Sequence, residues 1–214
     1  KRITAAVSAL SNKKIKLDCK VCQLVKLYKN GQPFKMSKRA GDFISAQDLL
    51  NEVNKDSIRF MMLNRSNDVE LDFDFEKVRE RTKDNPVYYV QYAFARINSI
   101  LRTLNKNLND EISVKSKTFT LNKYEEKIIR KIFEWPKIIE SAANKLEPHK
   151  IPFYLYELST LFHSYWSKGN EDSQYRFIEN GKVKRYEVLI FIYLISTVIK
   201  NGMNILGVSL PLKM

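Results

Sequence analysis

Two hydrophobic rhythms divide the chain. Near residue 70 the apolar Val69, Leu71, Phe73 and Phe75 alternate with Glu70, Asp72 and Asp74, the two-residue repeat of an extended segment. Beyond it, apolar residues recur at three- and four-residue steps, the spacing of one helix face. That rhythm predicts helices near 74–83, 86–105, 122–146, 149–167 and 183–206. Pro86 suits the first turn of its helix, where a missing N–H leaves no bond unmade, and Pro136 and Pro148 should likewise start or kink helices. Residues 105–117 are polar and read as a loop. The longest apolar run, Val188–Ile195, reaches Ile199 with Ser196 and Thr197 tolerated. A membrane-spanning helix needs about 20 such residues. The pattern therefore predicts a buried central helix and no membrane partner.

Upstream the signals change. A short helical piece, residues 3–10, leads through Lys-rich sequence to an apolar stretch at 21–28. Asn30-Gly31 follows, the pair favoured in type I′ hairpin turns, and residues 32–36 would be the returning strand. A lone hairpin is barely stable in water, so residues 1–45 are expected to complete a sheet whose other strands lie upstream of residue 1. Ser45 is an N-cap candidate with Asp48 three residues on, and Asp56 is the next cap. Ile58, Met61 and Met62 share one face. The extended segment near 69–75 then joins this part to a helical bundle.

Composition adds a charge asymmetry. Hydrophobic residues make up 44%, enough for an ordinary core, and Gly and Pro number six each, too few for long disordered linkers. The net charge is +13, from 37 basic and 24 acidic residues. Residues 1–39 hold eleven Lys or Arg against the single acid Asp18, so that stretch carries +10 and the rest +3. Such a field attracts polyanions, nucleic acid first and an anionic membrane surface second. The alternative is compositional drift in a chain rich in Lys, Asn and Ile. Cys19 and Cys22 form a lone Cys-x-x-Cys with no second pair, and both histidines, His149 and His163, lie far along the chain. A structural zinc needs about four ligands, so free thiols in a reducing compartment are expected and no protein-bound metal.

The sharpest motif is Lys-Met-Ser-Lys-Arg-Ala-Gly at Lys35–Gly41, after a strand and before a helix. Cations on such a loop reach phosphate oxygens, and Gly41 permits a backbone bend. Negative charge grows on the β- and γ-phosphates as pyrophosphate leaves, so placed ammonium groups stabilise that transition state. As four letters alone, the motif is equally a solvated basic turn.

The wider sequence resembles the class I aminoacyl-tRNA synthetases, and within them the arginyl-tRNA synthetases. Lys35-Met-Ser-Lys38 matches the second signature of the class. The segments 35–50, 56–66, 71–76 and 84–97 follow in that family's order, and residues 201–214 resemble its usual ending. The resemblance runs from about Gln23 to Met214 and is weakest at 105–135. It implies a mainly α fold: a helical-bundle anticodon-binding domain of the DALR type over 71–214. The C-terminal portion of a Rossmann-like α/β catalytic domain, over 1–70, precedes it. It implies a parent enzyme, monomeric and cytoplasmic, that activates L-arginine with ATP, accompanied by Mg²⁺, and transfers it to arginine tRNA. Lys38 would be the main cation on ATP and Lys35 its helper, with Met36 and Ser37 shaping the loop and Arg39 adding phosphate contacts. The family's first signature, His-Ile-Gly-His or similar, is absent. The chain is thus expected to be a fragment unable to form the adenylate alone. The other reading is a non-catalytic tRNA-binding module of the same descent.

Further candidates lie in the bundle. On the helix from Pro86, Tyr88, Gln91, Tyr92, Ala95 and Ser99 form one stripe and Tyr89, Ala93, Arg96 and Ile100 its neighbour. Tyr89, Val90 and Phe94 read as core, whereas Gln91 and Arg96 are candidates for the RNA backbone, with packing the alternative for each. In 157–170, Leu158, Leu161, Phe162 and Tyr165 should face inward, and His163, Trp166 and Lys168 should be exposed near the helix end. Single-stranded RNA is held by aromatic stacking with nearby cations. Trp166 or Tyr165 on a base, with Lys168 or Arg176 on phosphate, would fit an anticodon loop; Trp166 in the core fits equally. His163 reads as structural. Lys182, Lys184 and Arg185 enter the last helix at its N-terminus, where cations oppose the macrodipole. That mild penalty favours an RNA-contact role for them.

Overall fold

The computed structural model describes residues 1–34, 44–106 and 120–214. The lysine loop, 35–41, and most of the polar segment expected at 105–117 lie outside the described residues. Helix α1 (Arg2–Leu10) precedes a hairpin of β1 (Val25–Lys29) and β2 (Gln32–Pro33), then α2 (Ala46–Glu52), α3 (Lys55–Leu63) and β3 (Leu71–Asp74). The bundle follows: α4 (Pro86–Thr103), α5 (Lys123–Phe133), α6 (Trp135–Lys145), α7 (Lys150–Glu171), a second small hairpin of β4 (Ile178–Glu179) and β5 (Lys182–Val183), and α8 (Tyr186–Leu206).

The first hairpin turns as its sequence requires. Asn30 and Gly31 both take positive φ, 52° and 70°, the pair of left-handed residues a type I′ turn needs. Among the described residues its sheet gains a third strand. The third strand comes from downstream: β3 runs parallel to β1, with Leu27 opposite Phe73, and the order is β2-β1-β3. Leu71 and Phe73 point inward from β3 and Phe75 just beyond it, onto Leu27, Val53 and Val78. Ile58, Met61 and Met62 pack against this small core. The alternating segment is therefore a strand of this small sheet, paired with β1.

Side-chain caps start three of the described α-helices, α2, α3 and α5. Ser45 and Asp48 form a reciprocal capping box on α2. For α3 the cap is Asn54, whose side chain accepts from the Ser57 amide; Asp56 lies in the first turn and is engaged elsewhere. No α-helix forms at 74–83. The Asp74 carboxylate accepts from the Glu76 and Lys77 amides, and a single 3₁₀ turn at Lys77–Arg79 follows. The helix expected at 122–146 is two helices meeting at Glu134, with Pro136 in the first turn of α6.

The last helix begins at Tyr186, because 178–183 form a hairpin with Asn180 and Gly181 at φ 51° and 71°. Within the bundle α7 touches α4, α5, α6 and α8. Gly202 lets α8 approach α7: a β-carbon there would stand 2.7 Å from Leu155 Cδ2. Helix α8 is long and apolar enough to cross a membrane by composition. Yet it buries twelve residues from Val188 to Leu206, so it is an inner helix of the bundle as expected.

Candidate nucleic-acid interface

Helix α4 has two faces. Val87, Val90, Ala93, Phe94, Ile97, Ile100 and Leu101 are buried in the bundle core. The Tyr88–Gln91–Tyr92–Ala95–Ser99 stripe lies on the other side and continues to Arg102. It lines two adjoining clefts. One, about 450 Å³, is bounded by Tyr92, Ala95, Arg96, Ser99, Arg102 and Trp166. The other, about 350 Å³, has Asn54, Arg79, Arg81, Tyr88 and Gln91 among its walls. Lys213 and Met214 border both. Tyr88 and Tyr92, one turn apart, stack at 5.8 Å and so carry an aromatic surface from one cleft to the next.

Arg96 is the fixed point of the first cleft. Its guanidinium carbon lies 4.4 Å from the Tyr92 ring centre and 5.1 Å from that of Trp166, within cation–π range of both. Its Nη2 donates to the Tyr92 hydroxyl at 2.7 Å, and Nη1 meets His163 Nδ1 at 3.0 Å. The other imidazole nitrogen, Nε2, lies 3.1 Å from the Tyr89 carbonyl oxygen. A carbonyl oxygen accepts only, so the proton sits on Nε2 and Nδ1 accepts from Arg96. Burial, with the Arg96 charge adding to it, pushes His163 down to about 4, against the bond to Tyr89. The imidazole is therefore neutral at pH 7 and can hold a cation. No acidic side chain lines this cleft, which presents Arg96, Arg102 and Lys213. A cationic cleft walled by flat rings is suited to phosphates and unstacked bases.

The other candidates divide. Gln91 borders the second cleft, but its amide donates to the Ser209 carbonyl at 2.9 Å. Trp166 is partly buried, edge-on to Phe177, and forms a wall of the first cleft. Arg176 is exposed, donates to the Gly169 carbonyl, and borders a third cleft of about 230 Å³ on the far side of Trp166. Lys168 pairs with Glu171 at 2.8 Å. Lys184 donates to the Ser173 carbonyl and faces Glu179 at 3.5 Å.

One expectation is corrected, and two further candidates are held within the bundle. Tyr165 is 2% exposed, its hydroxyl donates to Glu125 at 2.7 Å and accepts from Asn122, and burial raises its pKa strongly. It offers no face for stacking. His163 is buried and bonded through both ring nitrogens, which agrees with its reading as structural. Arg185 binds the fully buried Glu125 and donates to the Thr120 carbonyl, with its side chain 34% exposed, which ties the start of α8 to α5. Tyr92, Arg102 and Lys213 escaped notice as site residues. Tyr92 and Arg102 continue a stripe the three- and four-residue spacing defines, whereas no periodicity places Lys213.

Among the described residues no group of three or more His, Cys, Asp or Glu is arranged to hold a metal. Cys19 and Cys22 are exposed free thiols.

An α-helical bundle whose long α4 displays a basic, aromatic groove is the architecture of a nucleic-acid-binding module. A family model described as the DALR anticodon binding domain matches residues 90–214, more than half of the chain, and the chain belongs to that family. Among curated relatives, an arginine–tRNA ligase of Pelagibacter ubique is 58% identical over 214 residues, all of this chain and 37% of that protein. One from Ruegeria pomeroyi is 47% identical over 98% of this chain and 37% of its own length. The chain thus spans little more than a third of these relatives. A structure solved as a candidate arginyl-tRNA synthetase from Campylobacter jejuni superposes with a TM-score of 0.81 at 27% identity, over all of this chain and 44% of that one. The arginyl-tRNA synthetase of Thermus thermophilus shares the fold, with a TM-score of 0.61 over 90% of this chain and 35% of that one, at 21% identity.

Proposed function

We propose that the chain is a portion of a cytoplasmic, monomeric arginine–tRNA ligase that grips arginine tRNA along the outer face of α4. The whole enzyme would join L-arginine to that tRNA at the expense of ATP. The observation that carries this reading is Arg96, held between the Tyr92 and Trp166 rings by a neutral histidine on an open cleft with no acidic side chain in its lining. Arg96 is positioned before RNA arrives, so little ordering is left for binding to supply. Tyr92 and Trp166 offer ring faces to bases, while Arg102 and Lys213 take phosphates. Trp166 with Arg176 extends the same surface around the end of α7, with Lys168 and Lys184 at its margin. Gln91 acts from the second cleft.

Lys35 and Lys38 would steady the departing pyrophosphate, with Met36 and Ser37 shaping their loop and Arg39 adding phosphate contacts. Mg²⁺ would arrive on the ATP phosphates. The catalytic part would end after β3, near residue 80, where the chain passes from the small sheet core to the bundle. The test is fluorescence anisotropy of labelled arginine tRNA with the whole chain. Affinity should fall steeply as salt rises and should exceed that for another tRNA; equal affinity for both would overturn the assignment.

A further inference from the structure

Both clefts share a wall that belongs to neither α4 nor α7. Residues 207–214 leave α8 at Gly207 and turn back across α3 and α4, ending with Lys213 and Met214 on the groove. These two residues are exposed, and the segment that carries them is seated on the bundle core by Val208 and Leu210. Ser209 is the clamp. Its amide donates to Asp56 Oδ1 at 3.1 Å, its hydroxyl bonds Asp56 Oδ2, and its carbonyl accepts from Gln91. On one side of this clamp Arg59 Nε, from the same face of α3, donates to the Leu206 carbonyl at 2.8 Å. On the other, Arg102 donates to the Leu212 carbonyl at 2.8 Å. Asp56 itself borders neither cleft.

We propose that Asp56 is a positioning residue for the RNA groove: through Ser209 it fixes residues 207–214 as the groove's outer wall. The inference rests on the groove being the RNA site. It makes a prediction of unusual sign. Removing a carboxylate near an RNA surface should tighten binding if only charge matters, because less repulsion opposes the phosphates. Removing a carboxylate that holds the wall should weaken it.

The experiment measures arginine tRNA binding to the whole chain carrying Asp56→Ala, Asp56→Asn, Ser209→Ala or the first and last together. Two lost hydrogen bonds at roughly 1 kcal/mol each should weaken binding by Asp56→Ala by roughly thirty-fold. Ser209→Ala, which removes one bond, should weaken it by roughly three- to five-fold. The double variant should be no worse than Asp56→Ala. Asp56→Asn should restore affinity, since an amide can accept from the Ser209 amide and donate to its hydroxyl without any charge. Thermal midpoints of the four variants, within a few degrees of one another, keep folding out of the comparison. Binding by Asp56→Ala as tight as the unsubstituted chain, or tighter, overturns the inference alone. Absence of tRNA binding by the unsubstituted chain overturns the RNA reading beneath it, and the inference with it.

Discussion

Acidification should unlock the groove through His163, and the structure sets the size of the effect. The imidazole is 6% exposed and faces the Arg96 guanidinium, and its folded pKa is near 4 against an ordinary 6.5. The folded pKa is the lower one, so the unfolded chain takes up this proton first. His163 therefore contributes full stability above about pH 6.5, and that contribution is lost as pH falls from 6.5 towards 4. Each pH unit across the gap is worth about 1.4 kcal/mol, which amounts to about 2 kcal/mol lost between pH 7 and pH 5. Other titrating groups move over the same range, so the comparison must be differential. His163→Gln keeps a donor for the Tyr89 carbonyl and an acceptor for Arg96 but does not titrate. Urea unfolding, followed by the fluorescence of Trp135 and Trp166, would be measured for both proteins at the two pH values. The unsubstituted chain should lose about 2 kcal/mol more than the variant on acidification. Parallel losses would mean that His163 is protonated in the folded state without penalty, and the neutral lock on Arg96 would be wrong.

Two further outcomes follow from single contacts. Glu125→Ala strips the buried partner from Arg185 and the Tyr165 hydroxyl. Because the Arg185 side chain is 34% exposed and can turn to water, the loss should be about 2–4 kcal/mol, below that of a fully enclosed pair; a urea midpoint equivalent to under ~1 kcal/mol would contradict it. Gly207→Ala places a β-carbon 2.9 Å from Arg59 Nε at φ +66°, so it should lower stability by about 1–2 kcal/mol, and an unchanged thermal midpoint would show that Arg59 moves freely.

What the sequence disclosed was local. Asn30-Gly31, the Ser45–Asp48 box and Pro86 each act within a few residues, and each sits where its chemistry placed it. The inner helix α8 was equally legible, because its apolar run admits no exposed face of any width. Pairing between distant segments was not. The alternation at 69–75 marked a strand but not its partner, since β1 lies more than forty residues away and parallel to it. The Asn180-Gly181 turn carries the same signal as Asn30-Gly31, yet the strong helical rhythm after it drew the expected helix start three residues too early. Tyr165 and Trp166 are neighbours on α7, and one step of about 100° separates core from groove. Spacing put Tyr165 on the inward face, where burial and its bond to Glu125 exclude it from stacking. Arg96 stood out as a cation, whereas its lock requires His163 from another helix, and the wall carrying Lys213 requires Asp56 from a third.

The most direct test of the groove is a salt series of tRNA binding for the unsubstituted chain, Trp166→Ala and Lys213→Ala, with urea unfolding as the control for folding. Loss of a stacking ring worth about 1–3 kcal/mol should weaken Trp166→Ala by roughly five- to a hundred-fold at every salt concentration. Lys213→Ala should flatten the dependence of log affinity on log salt by about one unit. Equal affinities and equal slopes for all three proteins would place the RNA elsewhere on the molecule.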